Sequence, residues 1–280
     1  MIIGITSSAY LRRYGEKEGA KRMRAHGYGA IDYQDFIDTE TDFFNLNELD
    51  FKNRIAETKK IVEGEGLFFS QAHGPWRYPP REFEPADRKE RFEAMCKAIR
   101  GTSYLGTKNF VIHPFMPFGL GEQEAEPMKE INAELFYKLC AHAQDYGVDV
   151  CLENMPFVYL PISSVETVVE FVEKMNIDNL KICLDTGHDL VWGRQPSQSV
   201  RQIGDKLACI HAHDNDGKGD FHWLIKKGVC NWEDFVKSLK ESTYSGVFSL
   251  ETSAEVSENK AETERREIEL INTVKEIIKV

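Results

Sequence analysis

Eight short runs rich in β-branched and aromatic residues recur along this chain, separated by longer charged segments whose apolar residues return every three or four positions. The runs are residues 2–7 (IIGITS), 30–36 (AIDYQDF), 67–73 (LFFSQAH), 109–114 (NFVIHP), 149–154 (DVCLEN), 180–185 (LKICLD), 207–213 (LACIHAH) and 246–251 (GVFSLE). Strands alternating with helices give βα units on a parallel sheet, and eight such units predict an α/β chain folded as a (β/α)8 TIM barrel. With 280 residues and 41% hydrophobic content the chain can bury one large core, so a single domain over 1–280 is expected.

The intervening segments 85–104, 125–146 and 163–175 carry the period of amphipathic helices. Gly66, Gly106, Gly147 and Gly246 shortly precede strands, where they are expected to end helices in the left-handed conformation. The tail 254–280 reads as a closing charged helix packed on the barrel. No Pro/Gly/Ser linker and no low-complexity tract interrupts the pattern.

The formal charge of −11 opposes binding that neutralises phosphates, which disfavours nucleic acid as a partner. No stretch is apolar enough to span a membrane, and the start MIIGITSS lacks the features of a secretory signal; a soluble, cytoplasmic protein is expected. Cys96, Cys140, Cys151, Cys183, Cys209 and Cys230 show no C-x-x-C pairing and read as small core residues.

In six of the eight runs the last or nearly last residue can bind a metal: His73, His113, Glu153, Asp185, His213 and Glu251. A lone histidine there would be an ordinary core residue. Six at one register, on strands that a barrel gathers into a ring, are hard to ascribe to packing, because buried carboxylates are costly unless paired or metal-bound. Parity agrees, since Gln71, Val111, Cys151, Cys183, His211 and Ser249 share the inward face, while Ile112, Leu152, Ile182, Leu184, Ile210, Phe248 and Leu250 suit the contact with outer helices. The expected metal set is Glu153, Asp185, His213 and Glu251, with His211 one layer deeper as support.

Mixed oxygen and imidazole donors suit Mn²⁺, Zn²⁺, Co²⁺ or Fe²⁺ more than Ca²⁺, Mg²⁺ also fits, and no organic cofactor is expected. His188 follows the sixth strand, and Asp220 and His222 lie in a Gly-rich loop after the seventh, placed to hold a further metal or touch substrate. With His73 and His113 they form an additional metal-or-substrate set. Trp76, Trp192 and Trp223, with Tyr78, offer loop walls for a substrate, and Arg77 and Arg81 could receive an anionic group.

The motifs HGPW (His73), IHP (His113), LENMP (Glu153), LDTGH (Asp185, His188), HAHDND (His213), DFH (Asp220, His222) and LET (Glu251) together resemble the xylose isomerase-like barrel superfamily, from the third strand to the eighth. That superfamily includes sugar isomerases and epimerases, inosose dehydratase and endonuclease IV. The resemblance implies one divalent metal on the counterparts of Glu153, Asp185, His213 and Glu251, with the two glutamates as acid and base; His188, just past the sixth strand, could bond a substrate oxygen. It implies a metal-dependent isomerase or epimerase acting on a small sugar, sugar phosphate or sugar acid through an enediolate, and family members often associate as homo-oligomers. Two alternatives are a lyase of inosose-dehydratase type and an endonuclease IV-like trinuclear zinc phosphodiesterase, whose nine ligands all have matching residues here. A non-enzymatic, metal-stabilised binding barrel is a further reading. The stretches after His73 and Glu153, GPWRYPPRE and NMPFVYLP, depart from the endonuclease IV pattern.

Overall fold

In the computed structural model of the chain, which describes residues 1–76, 78–80, 82–119 and 125–279, every one of the eight runs contains a strand. They are β1 (Ile3–Thr6), β2 (Ala30–Tyr33), β3 (Phe68–His73), β4 (Asn109–Ile112), β5 (Asp149–Glu153), β6 (Leu180–Asp185), β7 (Leu207–His211) and β8 (Phe248–Leu250). All neighbouring pairs are parallel, in the order β7-β6-β5-β4-β3-β2-β1-β8. The row closes just above β7. There Ala212 bridges Leu250, its N–H donating to the Ser249 carbonyl at 2.8 Å while the Glu251 N–H donates to the Ala212 carbonyl at 3.1 Å. The result is the expected α/β barrel.

Several strands are shorter than their runs. β1 gives way at Ser7 to the helix Ser7–Tyr14, β2 stops at Tyr33 and β7 at His211. His113, His213 and Glu251 therefore stand just beyond strand ends, on the rim where barrel active sites lie.

The helices Pro85–Leu105, Ala125–Asp145 and Val165–Met175 match the periodic segments. Their buried faces include Met95, Ile99, Phe136, Leu139, Val168 and Val172, which pack on the outward residues of the strands. Each such side chain, fully buried, stabilises the fold by roughly 1.5–3 kcal/mol before entropy is counted. The terminal helix Lys260–Lys279 covers the barrel through Leu270, Ile271, Val274 and Ile277, and its buried Glu267 accepts from Arg13 at 3.0 Å and Tyr14 at 2.8 Å.

Gly66, Gly106 and Gly147 take φ of 75°, 84° and 65°, as their positions before strands suggest. Gly246 does not. No helix ends there; a Cβ would press into the Tyr244 ring, whose hydroxyl donates to the Val247 carbonyl at 2.8 Å, so Gly246 is a matter of space.

Inside the barrel Val111, Cys151, Cys183 and Cys209 form a separate apolar layer beneath the rim. All six cysteines are free thiols, in keeping with their reading as packing residues. No helix among the described residues is long and apolar enough to cross a membrane.

Candidate active site

The ring of strand ends converges. One donor atom from each of Glu153, Asp185, His211 and Glu251 lies within 4.8 Å of every other, and Glu153, Asp185 and His211 are buried. The meeting point is His211 Nδ1, which lies 3.0 Å from Glu153 Oε1 and 3.1 Å from Glu251 Oε2. Asn154 fixes Asp185, its amide donating to the Asp185 carbonyl at 3.0 Å and its own carbonyl accepting from the Asp185 N–H at 2.8 Å. Gln34 donates to Glu251 Oε1 at 3.2 Å.

The grouping differs from the expected set in one member, while His213 groups instead with Asp185 and His188. His211, not His213, shares a quartet with the two glutamates and Asp185. Residues two apart in a strand face the same way, so parity cannot separate the two histidines. The register does: β6 and β7 pair Asp185 with His211, after a shift between Ile182 and Cys183. His213, two residues higher, has Nε2 at 3.0 Å from the outer oxygen of Asp185, Oδ2, and its ring stacks on His222 with centroids 4.0 Å apart. A Cβ on Gly187 would overlap the His213 ring, which explains a glycine between Asp185 and His188.

Two further clusters flank the quartet. His73 Nε2 and His113 Nε2, 3.3 Å apart, lie 3.4 and 3.2 Å from Glu153 Oε2. On the other side Asp220 receives His188 Nε2 at 3.3 Å and His222 Nε2 at 3.2 Å, and lies 3.7 Å from His213. Both nitrogens of His188 are engaged, Nδ1 donating to the Asn154 carbonyl at 2.7 Å. The loop carrying Asp220 is anchored by Asp214, which accepts from the backbone of Cys230 at 3.1 Å and from Trp232 Nε1 at 2.9 Å.

Electrostatics sort these groups. Burial works against the charge on Glu153, yet His211 and His113 hold its carboxyl well below the usual carboxylate range. Glu251 is likewise held low, burial being outweighed by His211. Burial drives His113 down to about 4 despite Glu153, whereas His188 and His222 are pushed up to about 10, Asp185 and Asp220 overcoming burial for the first and Asp220 and Glu251 for the second.

The aromatic walls divide. Trp76 stands edge-on to His113 with centroids 4.5 Å apart, at the mouth. Trp192 is half-buried and donates to the Met155 carbonyl at 2.8 Å, a packing contact. Trp223 is exposed and stacks on Phe221 at 5.5 Å. Arg77 and Arg81 lie outside the described residues.

The residues fit a divalent ion: three carboxylates and an imidazole converge, with Glu153, Asp185 and His211 buried. Sequence reasoning missed His211 as a quartet member, and also Asp32 and Gln34. Its available signal was Ala30, Asp32 and Gln34 on one parity of the second run, two polar groups where a barrel interior expects filler.

Asp189 adds a pH dependence of its own. Burial raises its carboxyl to about 7, Ser199 opposing through a bond of 2.5 Å, and Arg194 stays 3.6 Å from the other oxygen. A carboxyl with a raised folded-state value binds its proton better when folded, so its contribution is full at low pH and lost as pH climbs from the ordinary carboxylate range towards 7. Between pH 5 and 7 the wild type should lose stability relative to Asp189→Asn by on the order of 1 kcal/mol per pH unit. Urea unfolding at three pH values measures this, and parallel curves would refute it.

A family model described as xylose isomerase-like TIM barrel matches residues 20–274. The chain belongs to that family. An uncharacterized protein of Methanocaldococcus jannaschii is 31% identical over 181 residues, 62% of this chain and 62% of that one, so the match spans less than two thirds of the relative's length. D-psicose 3-epimerase of Ruminiclostridium cellulolyticum is 21% identical over 203 residues, 71% of this chain and 68% of the epimerase. A crystal structure of a D-tagatose 3-epimerase-like protein superposes with a TM-score of 0.78 at 23% identity, covering 100% of this chain and 97% of that one, a likeness of fold.

Proposed function

We propose that this chain, acting as one barrel domain over 1–280, is a metal-dependent isomerase or epimerase of a small sugar, sugar phosphate or sugar acid. One observation carries the reading: Glu153 and Glu251, from β5 and from just past β8, reach within 3.1 Å of the same imidazole nitrogen, so two carboxylates flank one small volume. Similarity to D-psicose 3-epimerase and to fructoselysine 3-epimerase of Escherichia coli, 23% identical over 120 residues, supports it.

Glu153, Asp185, His211 and Glu251 would hold the ion. A divalent cation of the Mn²⁺, Zn²⁺, Mg²⁺ or Co²⁺ type would supply charge stabilisation for the oxygens of a sugar losing a proton beside its carbonyl. The chain's own groups do the rest. Glu153 and Glu251, both held low, flank the substrate: one takes the proton on its side, and the other, once it has taken a proton from water, supplies that one on the opposite side. His188, paired with Asp220 at 3.3 Å, would orient a substrate hydroxyl, and Trp76 and Trp223 would wall the mouth. Incubation with a panel of ketoses and aldoses in D2O should show deuterium entering carbon beside the carbonyl, with no loss of water. Dehydrated product would point instead to a lyase.

A second reading draws on the three adjoining clusters, His73/His113/Glu153, the quartet, and His213/Asp220/His222, which could hold three ions as in a trinuclear phosphodiesterase. The net charge of −11 opposes a DNA partner. Elemental analysis showing three zinc ions per chain, with cleavage of abasic duplex, would favour this reading over the first.

A further inference from the structure

Asp32, on β2, is fully buried, and neither of its carboxylate oxygens has a hydrogen-bond partner. A carboxylate so placed is costly to bury and holds up nothing: it caps no helix and bonds no backbone amide or hydroxyl. The charged neighbour it has is His211, whose Nε2, itself without another hydrogen-bond partner, lies 3.0 Å from Asp32 Oδ2. The imidazole thus spans the barrel interior, Nε2 towards Asp32 and Nδ1 towards the glutamates, at 3.0 Å from Glu153 and 3.1 Å from Glu251. His73 lies nearly parallel to the ring, with centroids 5.8 Å and planes 12° apart.

We infer that Asp32 is a positioning residue for the ion of the proposed site: it takes the Nε2–H of His211, so that the Nδ1 lone pair faces the space between Glu153 and Glu251. A metal-bound imidazole whose other nitrogen donates to a carboxylate is a better and better-aimed ligand. The role explains why a strand interior carries an acid with no structural bond, and why His211 rather than His213 stands in the quartet. It rests on the metal-dependent reading above.

The test is Co²⁺ binding to the full chain, followed by visible absorption and by competition with a chromophoric chelator. Asp32→Asn keeps shape and volume. It should weaken Co²⁺ binding about 10- to 100-fold and alter the cobalt spectrum, while the melting temperature of the chelated protein stays level or rises. A structural role predicts the reverse pattern, a lower melting temperature with unchanged affinity, and would overturn the inference. So would an Asp32→Asn protein that binds Co²⁺ within about twofold of wild type. Asp32→Ala, where it folds, should weaken binding at least as much. A wild type that takes up no Co²⁺ sinks the metal reading and this inference together, and that failure is visible before any variant is made.

Discussion

Glu153→Gln should lower turnover on the responsive sugar by on the order of 10²- to 10⁴-fold, the usual contribution of a positioned acid or base, and Glu251→Gln should do the same. Glutamine matches the shape of glutamate but cannot take the proton, and at position 153 it also removes the anion that faces His73 and His113 at 3.4 and 3.2 Å and His211 at 3.0 Å. The two variants should differ in which partner of an epimeric pair still exchanges its proton with solvent. One glutamate remains on one side in each case. Initial rates on both epimers, with deuterium incorporation followed by NMR, make the comparison. Variants that keep wild-type rates would end the paired-carboxylate mechanism.

Dialysis against a chelator should abolish activity and lower the unfolding free energy by about 4 kcal/mol relative to protein held at an ion concentration roughly 1,000-fold above Kd. The cause is local. Glu153, Asp185 and Glu251 converge with only imidazoles to offset them, so a cation replaces repulsion with attraction. His188 and His222, both pushed up to about 10, carry protons at neutral pH in the ion-free protein. If ions also fill the flanking cluster, those protons must leave, and calorimetry in buffers of different ionisation enthalpy would register their release. A melting temperature and activity indifferent to chelator would contradict the expectation.

Much of this site is legible in the chain itself. Glu153, Asp185 and Glu251 could be placed because each ends a run whose alternate residues are bulky on one parity and small or polar on the other. The carboxylates were the informative members, since burial of charge needs a reason. Histidines were less so. His211 and His213 share a face, and only the stagger between β6 and β7, set partly by the irregularity at Ile182 and Cys183, raises one level with Asp185 and lifts the other above it. Asp32 escaped notice because a lone acid in a run reads as a surface residue until its partner across the barrel is known. Trp192 read as a wall because sequence shows that an indole lies in a loop, not that its N–H is turned back to the Met155 carbonyl.

The closure at Ala212 has a consequence for how the molecule comes apart. Seven junctions of the barrel are parallel strand ladders, while the eighth is held by the amides of Ala212 and Glu251 at 2.8 and 3.1 Å. His211 and Glu251 sit on opposite sides of that gap, so any cation they share acts as a rivet across the zip most prone to open. Amide exchange at Ala212 and Glu251 should slow first when the rivet is in place, so that the proposed ligands would also lock the cylinder.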